Sequence, residues 1–403
     1  MGKILNRIQK QGFELAKEWW SKSNEQIFKI AGYAGTGKTF LSSVIAEELA
    51  GEKIAFCAFT GKAALVMQQR GMPATTIHQL IYNNELKLVP SKNDDGKIVF
   101  KKKMVSVLKE RLDPKPSLII VDESSMVSEK ILNDLMHFNI PIIAVGDPFQ
   151  LPPVGSKDSD LLMNPNVTLE EIMRQDEGSP IVYLAEKIRK GIPLKEDESS
   201  SGCIWQMSKD AVDTDTENIF KWADQIIAGR NANVFKINKM AREYMGFTDT
   251  LPMVGDKIIC KRNDWGQILI NGTLPTSLVN GLIGYCTQVN QREHYEDVPW
   301  RNEPVKTIEH VLNLRPTFEE KAEFKEIIYN PDSFYENKET RQWIKKMIFQ
   351  FAYCITCHAA QGSEWDNVVL YDDSWPDNND PLFQARWRYT GVTRASKKLV
   401  WLR

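Results

Sequence analysis

A glycine-rich stretch of eight residues constrains the fold of this chain more than any other feature of its sequence. Residues 32–39 read GYAGTGKT and match the pattern G-x-x-x-x-G-K-[ST] at every fixed position. The apolar run IFKIAG at 27–32 leads into it, and the helix-like run FLSSVIAEELA follows it. A strand, a glycine-rich loop and a helix in this order are typical of a loop that binds phosphate groups through its backbone N–H groups. A chance glycine-rich turn is the alternative, and it does not account for the full match.

The residues of this loop predict a binding site for ATP and Mg²⁺. Glycines have no Cβ, so they allow backbone N–H groups to turn inward around phosphate oxygens. Lys38 is expected to reach the β- and γ-phosphates, and the Thr39 hydroxyl is expected to bind Mg²⁺. The residues predicted to contact the nucleotide in this segment are Gly32, Gly35, Gly37, Lys38, Thr39 and Phe40.

Polar residues follow two further strand-like runs. The apolar run LIIV at 118–121 ends in Asp122 and Glu123. Asp122 is expected to bind Mg²⁺, and Glu123 is placed to polarise the water that attacks the γ-phosphate. A solvated acid pair at the end of an ordinary strand is the alternative. Gln150 follows the run PIIAVGD, and the carboxyl ends of strands in a doubly wound sheet face the ligand, so we expect Gln150 to contact the γ-phosphate.

The apolar runs along the chain predict an α/β fold. IFKIAG, KIAFCAF, SLIIVDE and PIIAVGD are nearly continuous apolar runs, which suit the strands of a parallel sheet covered on both faces. Helix-like stretches alternate with them, and residues 4–20 also predict a helix. A second pattern of this kind follows in the later part of the chain, with the strand-like runs NVFKIN, DKIICKR, LIGYCTQV, NVVLYD and KLVWLR.

Three segments depart from the α/β pattern. Residues 83–115 contain LKLV and KIVF around turn-forming residues, which predicts a β-hairpin, and residues 85–115 carry a charge of +4. Residues 194–224 carry a charge of −5 and contain a loop-like SSSG, so we place a domain junction near 180–205. Between 285 and 349 the sequence becomes polar, with a helix-like EEKAEFKEIIY, which indicates an insertion.

Charge, hydropathy and cysteine content exclude several classes of protein. Lys plus Arg is 51 and Asp plus Glu is 53, so a nucleic acid has to be bound by a local groove rather than by bulk charge. No apolar run reaches the roughly 20 residues that cross a bilayer, and the first residues lack a secretory signal. Six scattered cysteines indicate a reducing compartment, so we expect a cytoplasmic protein, in the host cell if the gene belongs to a phage. The haem-attachment pattern C-x-x-C-H at 354–358 is set aside for want of a secretory signal.

An ordered series of motifs resembles that of the superfamily-one helicases, in their RecD/Dda-like branch. The likeness covers residues 5–82, 116–180 and 235–403. The matching segments, in chain order, are LNRIQ at 5–9, FTGKAA at 59–64, TTIH at 75–78, VDESSM at 121–126, GDPFQLPPV at 146–154, LEEIMR at 169–174, ITCHAAQGSEWD at 355–366 and YTGVTRA at 389–395.

This resemblance implies roles for single residues. It assigns Gln9 to the adenine base, Glu364 to the nucleotide, and Arg174 and Arg394 to the γ-phosphate. Such arginines neutralise charge in the transition state, whereas a surface salt bridge is the alternative for either one alone. Phe100 lies in the predicted hairpin, where its ring can stack on a base or pack beneath the hairpin. The residues expected to contact nucleic acid are Thr60, Lys62, His78, Phe100, Thr356 and His358.

The resemblance also implies two RecA-like parallel-sheet domains in tandem, each with a small inserted subdomain. The first insertion is expected to be a β-hairpin that acts as the strand-separating pin, and the second is expected to be SH3-like. The expected segments are 1–82 and 116–180 for the first core, 83–115 for the pin, 181–284 and 350–403 for the second core, and 285–349 for the SH3-like insertion.

From these features we expect an ATP-dependent DNA helicase. The branch implies 5′-to-3′ translocation on single-stranded DNA by a monomer, and separation of duplex DNA in replication, recombination or repair. The expected partners are single-stranded DNA, forked duplex DNA and single-strand-binding or replication proteins. A P-loop ATPase that serves as a switch or binding module is the alternative, but it does not account for residues 59–64 and 356–366 together. An added nuclease activity would need a second cluster of metal-binding acids, and none is visible in the sequence.

Overall fold

The computed structural model describes most of the chain. The described segments are 5–22, 25–49, 53–92, 98–152, 160–171, 179–193, 202–273, 276–296, 305–335, 346–373 and 380–403. Their α-helices are α1 Arg7–Lys22, α2 Lys38–Leu49, α3 Gly61–Gln69, α4 Ile77–Ile81, α5 Glu129–Met136, α6 Pro180–Arg189, α7 Ala211–Thr214, α8 Thr216–Trp222, α9 Asn231–Tyr244, α10 Cys357–Ala360 and α11 Pro381–Val392. Their strands are β1 Ile27–Gly32, β2 Ile54–Ala58, β3 Ala74–Thr76, β4 Tyr82–Lys92, β5 Ile98–Leu108, β6 Leu118–Asp122, β7 Ile142–Gly146, β8 Val167–Leu169, β9 Ile204–Met207, β10 Gln225–Ala228, β11 Lys257–Cys260, β12 Asp264–Ile268, β13 Ser277–Leu278, β14 Ile283–Glu296, β15 Val305–Pro316, β16 Phe324–Tyr329, β17 Phe349–Phe351, β18 Cys354–Thr356, β19 Trp365–Tyr371 and β20 Ala395–Leu402.

The first part of the chain is built around a parallel sheet with the strand order β3-β2-β6-β7-β1-β8. In this sheet Ile30 of β1 lies opposite Val145 of β7 and Val167 of β8. The four apolar runs predicted as strands form β1, β2, β6 and β7, so that prediction is confirmed. The strands β3 and β8 were not predicted because three residues give no readable period.

Apolar cores cover both faces of this sheet. Neighbouring residues of β6 point to opposite faces, so Ile120 belongs to one core and Ile119 to the other. Trp19 of α1 and Leu41 of α2 pack in the first core, and Leu135 of α5 packs in the second. The predicted N-terminal helix is present, although it begins at Arg7 and ends two residues later than expected.

The predicted hairpin emerges between α4 and β6. Strands β4 and β5 pair antiparallel from Tyr82 opposite Leu108 to Lys92 opposite Ile98, so they are longer than the four-residue strands expected from the sequence. Strand propensity continues beyond the predicted strand KIVF into VSVL at 105–108, so β5 extends to Leu108. The turn at 93–97 and the side chains of residues 98–104 lie outside the described residues.

The later part of the chain contains a second parallel sheet, with the order β18-β10-β19-β20-β9. The runs NVVLYD and KLVWLR contribute to β19 and β20, as predicted. The run NVFKIN was predicted as a strand, and this was wrong, because it lies inside α9. Val234, Ile237 and Ala241 pack in the core at the spacing of one helix face, which a six-residue window does not reveal.

An antiparallel sheet with the order β16-β15-β14-β11-β17 follows. It takes up DKIICKR and LIGYCTQV, so the predicted insertion at 285–349 is too short: its start falls inside β14, and the sheet extends from β11 to β17. The helix expected at EEKAEFKEIIY is wrong, because Phe324–Tyr329 is the strand β16. Its pairing with β15 shifts register between Leu312 and Leu314, and the resulting burial of Phe324 and Ile327 imitates helical spacing.

A buried ion pair joins α9 to β11. Arg242 donates from Nε and Nη2 to the two carboxylate oxygens of Asp256, each at 3.0 Å. The hydroxyl of Tyr353 also donates to Asp256, at 3.1 Å, and accepts the backbone N–H of Lys257 at 3.1 Å. The guanidinium of Arg242 lies 4.0 Å from the ring centre of Phe351. The parallel and antiparallel sheets of this part of the chain are therefore linked through one desolvated network.

The chain divides into two compact units. The first unit comprises residues 1–195, 361–363 and 378–393, and the second comprises 196–360, 364–377 and 394–403. In this division the chain first passes from one unit to the other between residues 195 and 196. The expected core boundaries differ from this division, because α6 and α11 pack against each other in the first unit. No helix in the described residues has the length and apolarity of a membrane-spanning segment.

Candidate nucleotide site and nucleic-acid surface

The glycine-rich loop between β1 and α2 has the backbone geometry that its motif requires. Gly35 and Gly37 both have a φ of 78°, where a residue with a Cβ is strained. A Cβ on Gly32 would lie 2.7 Å from Oγ1 of Thr36, so a side chain there has no room. The three predicted glycines therefore shape one loop, which ends at the positive end of the α2 dipole.

Two side chains flank this loop. Lys38 begins α2, and its ammonium group donates to the backbone carbonyl of Tyr33 at 2.9 Å. The guanidinium of Arg189, in α6, lies 3.9 Å from the ring centre of Tyr33, in a cation–π contact that the sequence did not suggest. Phe40, the third residue of α2, is exposed, so it is accessible to a ligand.

Gln9 ties α1 to the glycine-rich loop. Its side chain is buried and donates from Nε2 to the backbone carbonyl of Thr36 at 3.3 Å. Gln9 and Asn6 also exchange two hydrogen bonds: each backbone N–H donates to the side-chain oxygen of the other residue. The structure therefore brings Gln9 to the predicted nucleotide site, and its contact with adenine stays a prediction.

The two residues predicted to bind Mg²⁺ are neighbours. Thr39 Oγ1 donates to Asp122 Oδ2 at 2.9 Å, and Asp122 is buried. A hydroxyl and a carboxylate oxygen at this spacing are the hard donors that Mg²⁺ prefers, so the residues present suit the ion. Glu123 follows with a φ of 50°, a left-handed conformation that is uncommon outside glycine and clusters at functional sites. Its N–H donates to Oδ1 of Asp122 at 2.8 Å.

Gln150 lies just after β7, at the same edge of the sheet. Its side chain is 5% exposed, and Oε1 accepts no hydrogen bond from the described residues. Gly146 allows β7 to approach the turn after β6, because a Cβ there would lie 2.7 Å from Oγ of Ser124. A buried amide oxygen without a protein donor is available to a ligand or to water.

A tyrosine in α11 contacts two of these loops. It is the first residue of the motif YTGVTRA, and no role was predicted for it. The hydroxyl of Tyr389 donates to Asp147 Oδ2 at 2.8 Å and accepts the N–H of Ala34 at 3.0 Å. The next residue, Thr390, accepts the N–H of Leu151 at 3.1 Å. These contacts join segments more than 200 residues apart, so no local sequence pattern signals them.

The predicted arginines and Glu364 are described in part. Arg174 lies outside the described residues. Arg394 is 6% exposed and lies in the second unit between α11 and β20, where its carbonyl accepts the N–H of Trp365 at 2.9 Å. Glu364 is exposed and directly precedes β19. Their contacts with nucleotide remain predictions.

In the first unit, the predicted nucleic-acid residues Thr60 and Lys62 lie at the start of α3. Thr60 caps this helix, because its Oγ1 accepts the N–H of Ala63 at 3.1 Å. Burial lowers the pKa of Lys62 to about 8, although part of its side chain remains exposed. The amino end of α3 therefore offers a helix dipole and a titratable cation close together.

His78 lies in a small aromatic cluster at the base of the hairpin. Its ring centre is 6.1 Å from that of Phe59 and 5.5 Å from that of Tyr82, the first residue of β4. Phe59 belongs to the motif FTGKAA and Tyr82 lies four residues after TTIH, but neither was among the predicted contacts. The cluster offers aromatic faces of the kind on which bases stack. The side chain of Phe100 lies outside the described residues.

In the second unit, Thr356 and His358 lie where β18 meets α10. Thr356 Oγ1 accepts the N–H of Ala359 at 3.2 Å. Burial lowers the pKa of His358, so the neutral imidazole predominates near pH 7. Thr356 also lines a cavity of about 800 Å³ between α9 and the antiparallel sheet. Its other walls include Asn231, Phe235, Lys261, Tyr335 and Phe351.

Family models and curated relatives match the sequence. An AAA domain model matches residues 9–204, and a UvrD-like helicase C-terminal domain model matches 351–402. The ATP-dependent RecD2 DNA helicase of Deinococcus radiodurans is 23% identical over 399 residues, which cover 93% of this chain and 46% of that protein. The ATP-dependent DNA helicase Pif1 of Campylobacter jejuni is 30% identical over 141 residues, 34% of this chain and 31% of that protein. The chain thus spans less than half the length of these relatives.

Solved structures share the fold. Bacteroides Pif1 bound to single-stranded DNA matches with a TM-score of 0.57 and 20% identity, over 99% of this chain and 92% of that one. Candida albicans Pif1 helicase matches with a TM-score of 0.55 and 16% identity, over 100% of this chain and 95% of that one. The two parallel sheets are accordingly two tandem RecA-like domains, as expected. In its ordered motifs, its two family models and this shared fold, the chain is similar to the superfamily-one helicases, in the branch of the RecD and Pif1 proteins.

Proposed function

We propose that this chain is an ATP-dependent DNA helicase, which hydrolyses ATP to move along single-stranded DNA and to separate duplex DNA. The observation that carries the proposal is the assembly of Lys38, Thr39 and Asp122 at one edge of the first parallel sheet, with Gln150 beside them. Hydrolases that transfer a phosphoryl group need such a site. The relatives named as DNA helicases support DNA as the track.

Each residue of the ATP site has a chemical task in this proposal. The N–H groups of the glycine-rich loop and the ammonium of Lys38 hold the phosphates. Thr39 and Asp122 would hold Mg²⁺, which when bound neutralises charge on the phosphate oxygens. The carboxylate of Glu123 takes a proton from the attacking water. The free Oε1 of Gln150 accepts a hydrogen bond from the same water and orients it.

Two arginines complete the proposed reaction. Arg174 and Arg394 stabilise the charge that spreads over the γ-phosphate oxygens as its bond to ADP breaks, an effect worth about 10³–10⁵ in rate for such arginines. Glu364 and Gln9 orient the rest of the nucleotide. Hydrolysis then removes the γ-phosphate that both arginines are proposed to contact.

The proposed DNA contacts lie on both units. The amino end of α3 and the aromatic cluster at the base of the hairpin support a path in the first unit, and the junction of β18 with α10 supports one in the second. We assign 5′-to-3′ movement, in keeping with the RecD/Pif1-like branch. The proposed contacts are Thr60, Lys62, His78, Phe100, Thr356 and His358.

The inserted segments and the cellular setting complete the proposal. The basic segment 83–115 acts as the pin that separates strands, and its two long antiparallel strands support that role. The segment 285–349, with β11 and β17, acts as an SH3-like subdomain. We assign a cytoplasmic monomer, with forked DNA as substrate and single-strand-binding or replication proteins as partners, in replication, recombination or repair.

The first test is whether single-stranded DNA stimulates hydrolysis. We expect oligo(dT) to raise the ATPase rate of the wild-type protein, and we expect Lys38→Ala to abolish hydrolysis with or without DNA. An ATPase switch that does not move on DNA would hydrolyse ATP equally in both conditions, and that result would refute the helicase. Duplexes with either a 5′ or a 3′ tail then test polarity, since a 5′-to-3′ enzyme displaces strands only from the first.

A further inference from the structure

A single buried hydroxyl contacts both the glycine-rich loop and the segment that carries Gln150. Tyr389, in α11, is 2% exposed. Its hydroxyl accepts the N–H of Ala34 at 3.0 Å and donates to Oδ2 of Asp147 at 2.8 Å. Ala34 belongs to the loop that is proposed to hold the phosphates, and Asp147 directly follows β7. One oxygen atom is therefore hydrogen-bonded to both segments.

The segment 147–151 is also held at its other end. Leu151 donates its N–H to Thr390 Oγ1 at 3.1 Å, and its carbonyl accepts Nε2 of Gln361 at 3.2 Å. The ring of Phe149 packs edge-on against the ring of Tyr389, with centres 5.3 Å apart. Side chains from 361–363 and α11 thus hold the segment on both sides of Gln150, so they set where its amide can point.

We infer that Tyr389 is a positioning residue for ATP hydrolysis, and that its hydroxyl couples the glycine-rich loop to Gln150. The inference rests on the proposed function. The predicted arginine finger Arg394 lies five residues further along the chain, so the helix that carries this hydroxyl also leads to that arginine. A movement of α11 would act on the phosphate loop and on Gln150 together.

The surroundings require the hydroxyl and not only the ring. Asp147 is fully buried, and a buried carboxylate needs donors. It receives the N–H of Phe149 at 3.0 Å and the hydroxyl of Tyr389. Tyr389→Phe would keep the ring contact but would remove the hydroxyl that donates to Asp147 and accepts the N–H of Ala34. The substitution therefore changes two hydrogen bonds while leaving the packing in place.

The second unit offers a matched control. Tyr353 is also buried, and its hydroxyl also donates to a buried aspartate, Asp256, and accepts a backbone N–H, from Lys257. Tyr353→Phe and Tyr389→Phe therefore remove the same chemical contacts. We expect similar losses of melting temperature for both variants, so any further effect of Tyr389→Phe is specific to its position.

The experiment measures DNA-stimulated ATPase kinetics and the affinity for the fluorescent nucleotide mant-ADP. For Tyr389→Phe we expect kcat to fall about tenfold and the Kd for mant-ADP to rise several-fold, the range that corresponds to a lost hydrogen bond to a charged or backbone group. For Tyr353→Phe we expect both values within about twofold of wild type. Both measurements are made well below the melting temperatures of the two variants, so the folded fraction stays close to one and general destabilisation does not mimic this result.

The outcomes separate the inference from the proposed function. If Tyr389→Phe matches Tyr353→Phe in both kcat and Kd, the hydroxyl is only structural and the inference fails. A change in Kd without a change in kcat refutes the coupling to Gln150. If wild-type protein shows no DNA-stimulated hydrolysis, the proposed helicase function fails, and unchanged mant-ADP binding in Tyr389→Phe would then refute the loop contact independently.

Discussion

The hydroxyl of Thr39 donates to Oδ2 of Asp122 at 2.9 Å, so the start of α2 and the end of β6 present a pair of adjoining oxygen ligands. Residue 123 then leaves the strand in a left-handed conformation, with a φ of 50°. The proposed water-activating carboxylate is thus a different residue from the proposed metal ligand. Binding and chemistry at this site should therefore be separable by mutation.

Glu123→Gln tests that separation. We expect the variant to bind mant-ATP within a few-fold of wild type while its turnover falls at least about 10²-fold, because an amide keeps the shape but does not take a proton from water. Stopped-flow binding and a phosphate-release assay measure the two quantities. Lys38→Ala is the contrasting variant, since it removes the cation that holds the phosphates. Loss of mant-ATP binding in a folded Glu123→Gln variant would contradict the assignment.

Arg394→Ala should reduce turnover far more than nucleotide affinity. Its charge is assigned to the transition state, where an arginine contributes about 10³-fold or more in rate. Steady-state ATPase kinetics with saturating oligo(dT) give kcat, and mant-ADP titration gives affinity. Arg403→Ala is a suitable control, because Arg403 is exposed at the end of β20. An unchanged kcat in Arg394→Ala would remove this residue from the proposed mechanism.

Deleting residues 90–96 should separate hydrolysis from unwinding. The deletion shortens the tip of the hairpin but leaves the lower pairs, such as Tyr82 with Leu108, in place. We expect DNA-stimulated ATPase within about twofold of wild type and a clear loss of strand displacement on a 5′-tailed fork. Phe100→Ala should lower the number of base pairs opened per ATP, because it removes a stacking contact worth about 1–3 kcal/mol. Wild-type unwinding by the deletion variant would show that the pin lies elsewhere.

The affinity for single-stranded DNA should fall as pH rises through 8. Burial lowers the pKa of Lys62 to about 8, so its ammonium form predominates below that pH and is lost above it. Fluorescence anisotropy at several salt concentrations should give a salt slope that is smaller at pH 9.5 than at pH 7 by about 0.7, the value for one phosphate contact. Lys62→Arg stays charged and should bind independently of pH over this range.

The same shift affects stability in the opposite direction. Between pH 8 and 10.5 the unfolded lysine holds a proton that the folded one has released, so this group raises stability as pH increases. A fall in DNA affinity over that range would therefore not arise from Lys62-linked unfolding. If wild type and Lys62→Arg lose affinity in parallel, Lys62 does not contact DNA.

Arg242→Ala should destabilise the protein strongly. The substitution leaves Asp256 buried without its paired cation, and breaking a buried pair costs about 3–5 kcal/mol. Urea unfolding followed by circular dichroism measures the change. Lys236→Ala is the matched control, because its ion pair with Asp213 is exposed and should contribute less than about 1 kcal/mol. Equal effects of the two substitutions would contradict the structural role of the buried pair.

The sequence predicted the first unit better than the second. In the first unit, the strands β1, β2, β6 and β7 are buried apolar runs, and a motif loop follows each of them. The apolar run predicts the strand, and the motif after it supports that prediction. In the second unit the runs are short, and a buried helix and a buried strand then look alike. That ambiguity explains why NVFKIN wrongly predicts a strand and why the sequence does not predict β9, β10 and β18.

The candidate site was predictable where its chemistry is local. Lys38 and Thr39 lie in one motif, and their nearness to Asp122 follows from strand ends that meet at one edge of a parallel sheet. Tyr389 could not be assigned in the same way, because its hydroxyl meets Ala34 some 355 residues earlier in the chain. Arg189 stacks on Tyr33 from a helix that matches no motif. Such contacts depend on tertiary packing, and local sequence patterns do not predict them.

Strands β11 and β17 pair antiparallel, with Cys260 opposite Phe349. Within the second unit, the chain therefore leaves β11 and returns at β17 at positions only about 5 Å apart. Both ends of the segment 261–348 are therefore attached at one place, the pair of strands β11 and β17. Insertions, deletions or exchanges within 261–348 can therefore change the binding surface of the second unit. The connections of its parallel sheet stay the same, because the strands of that sheet in the described residues all lie outside 261–348.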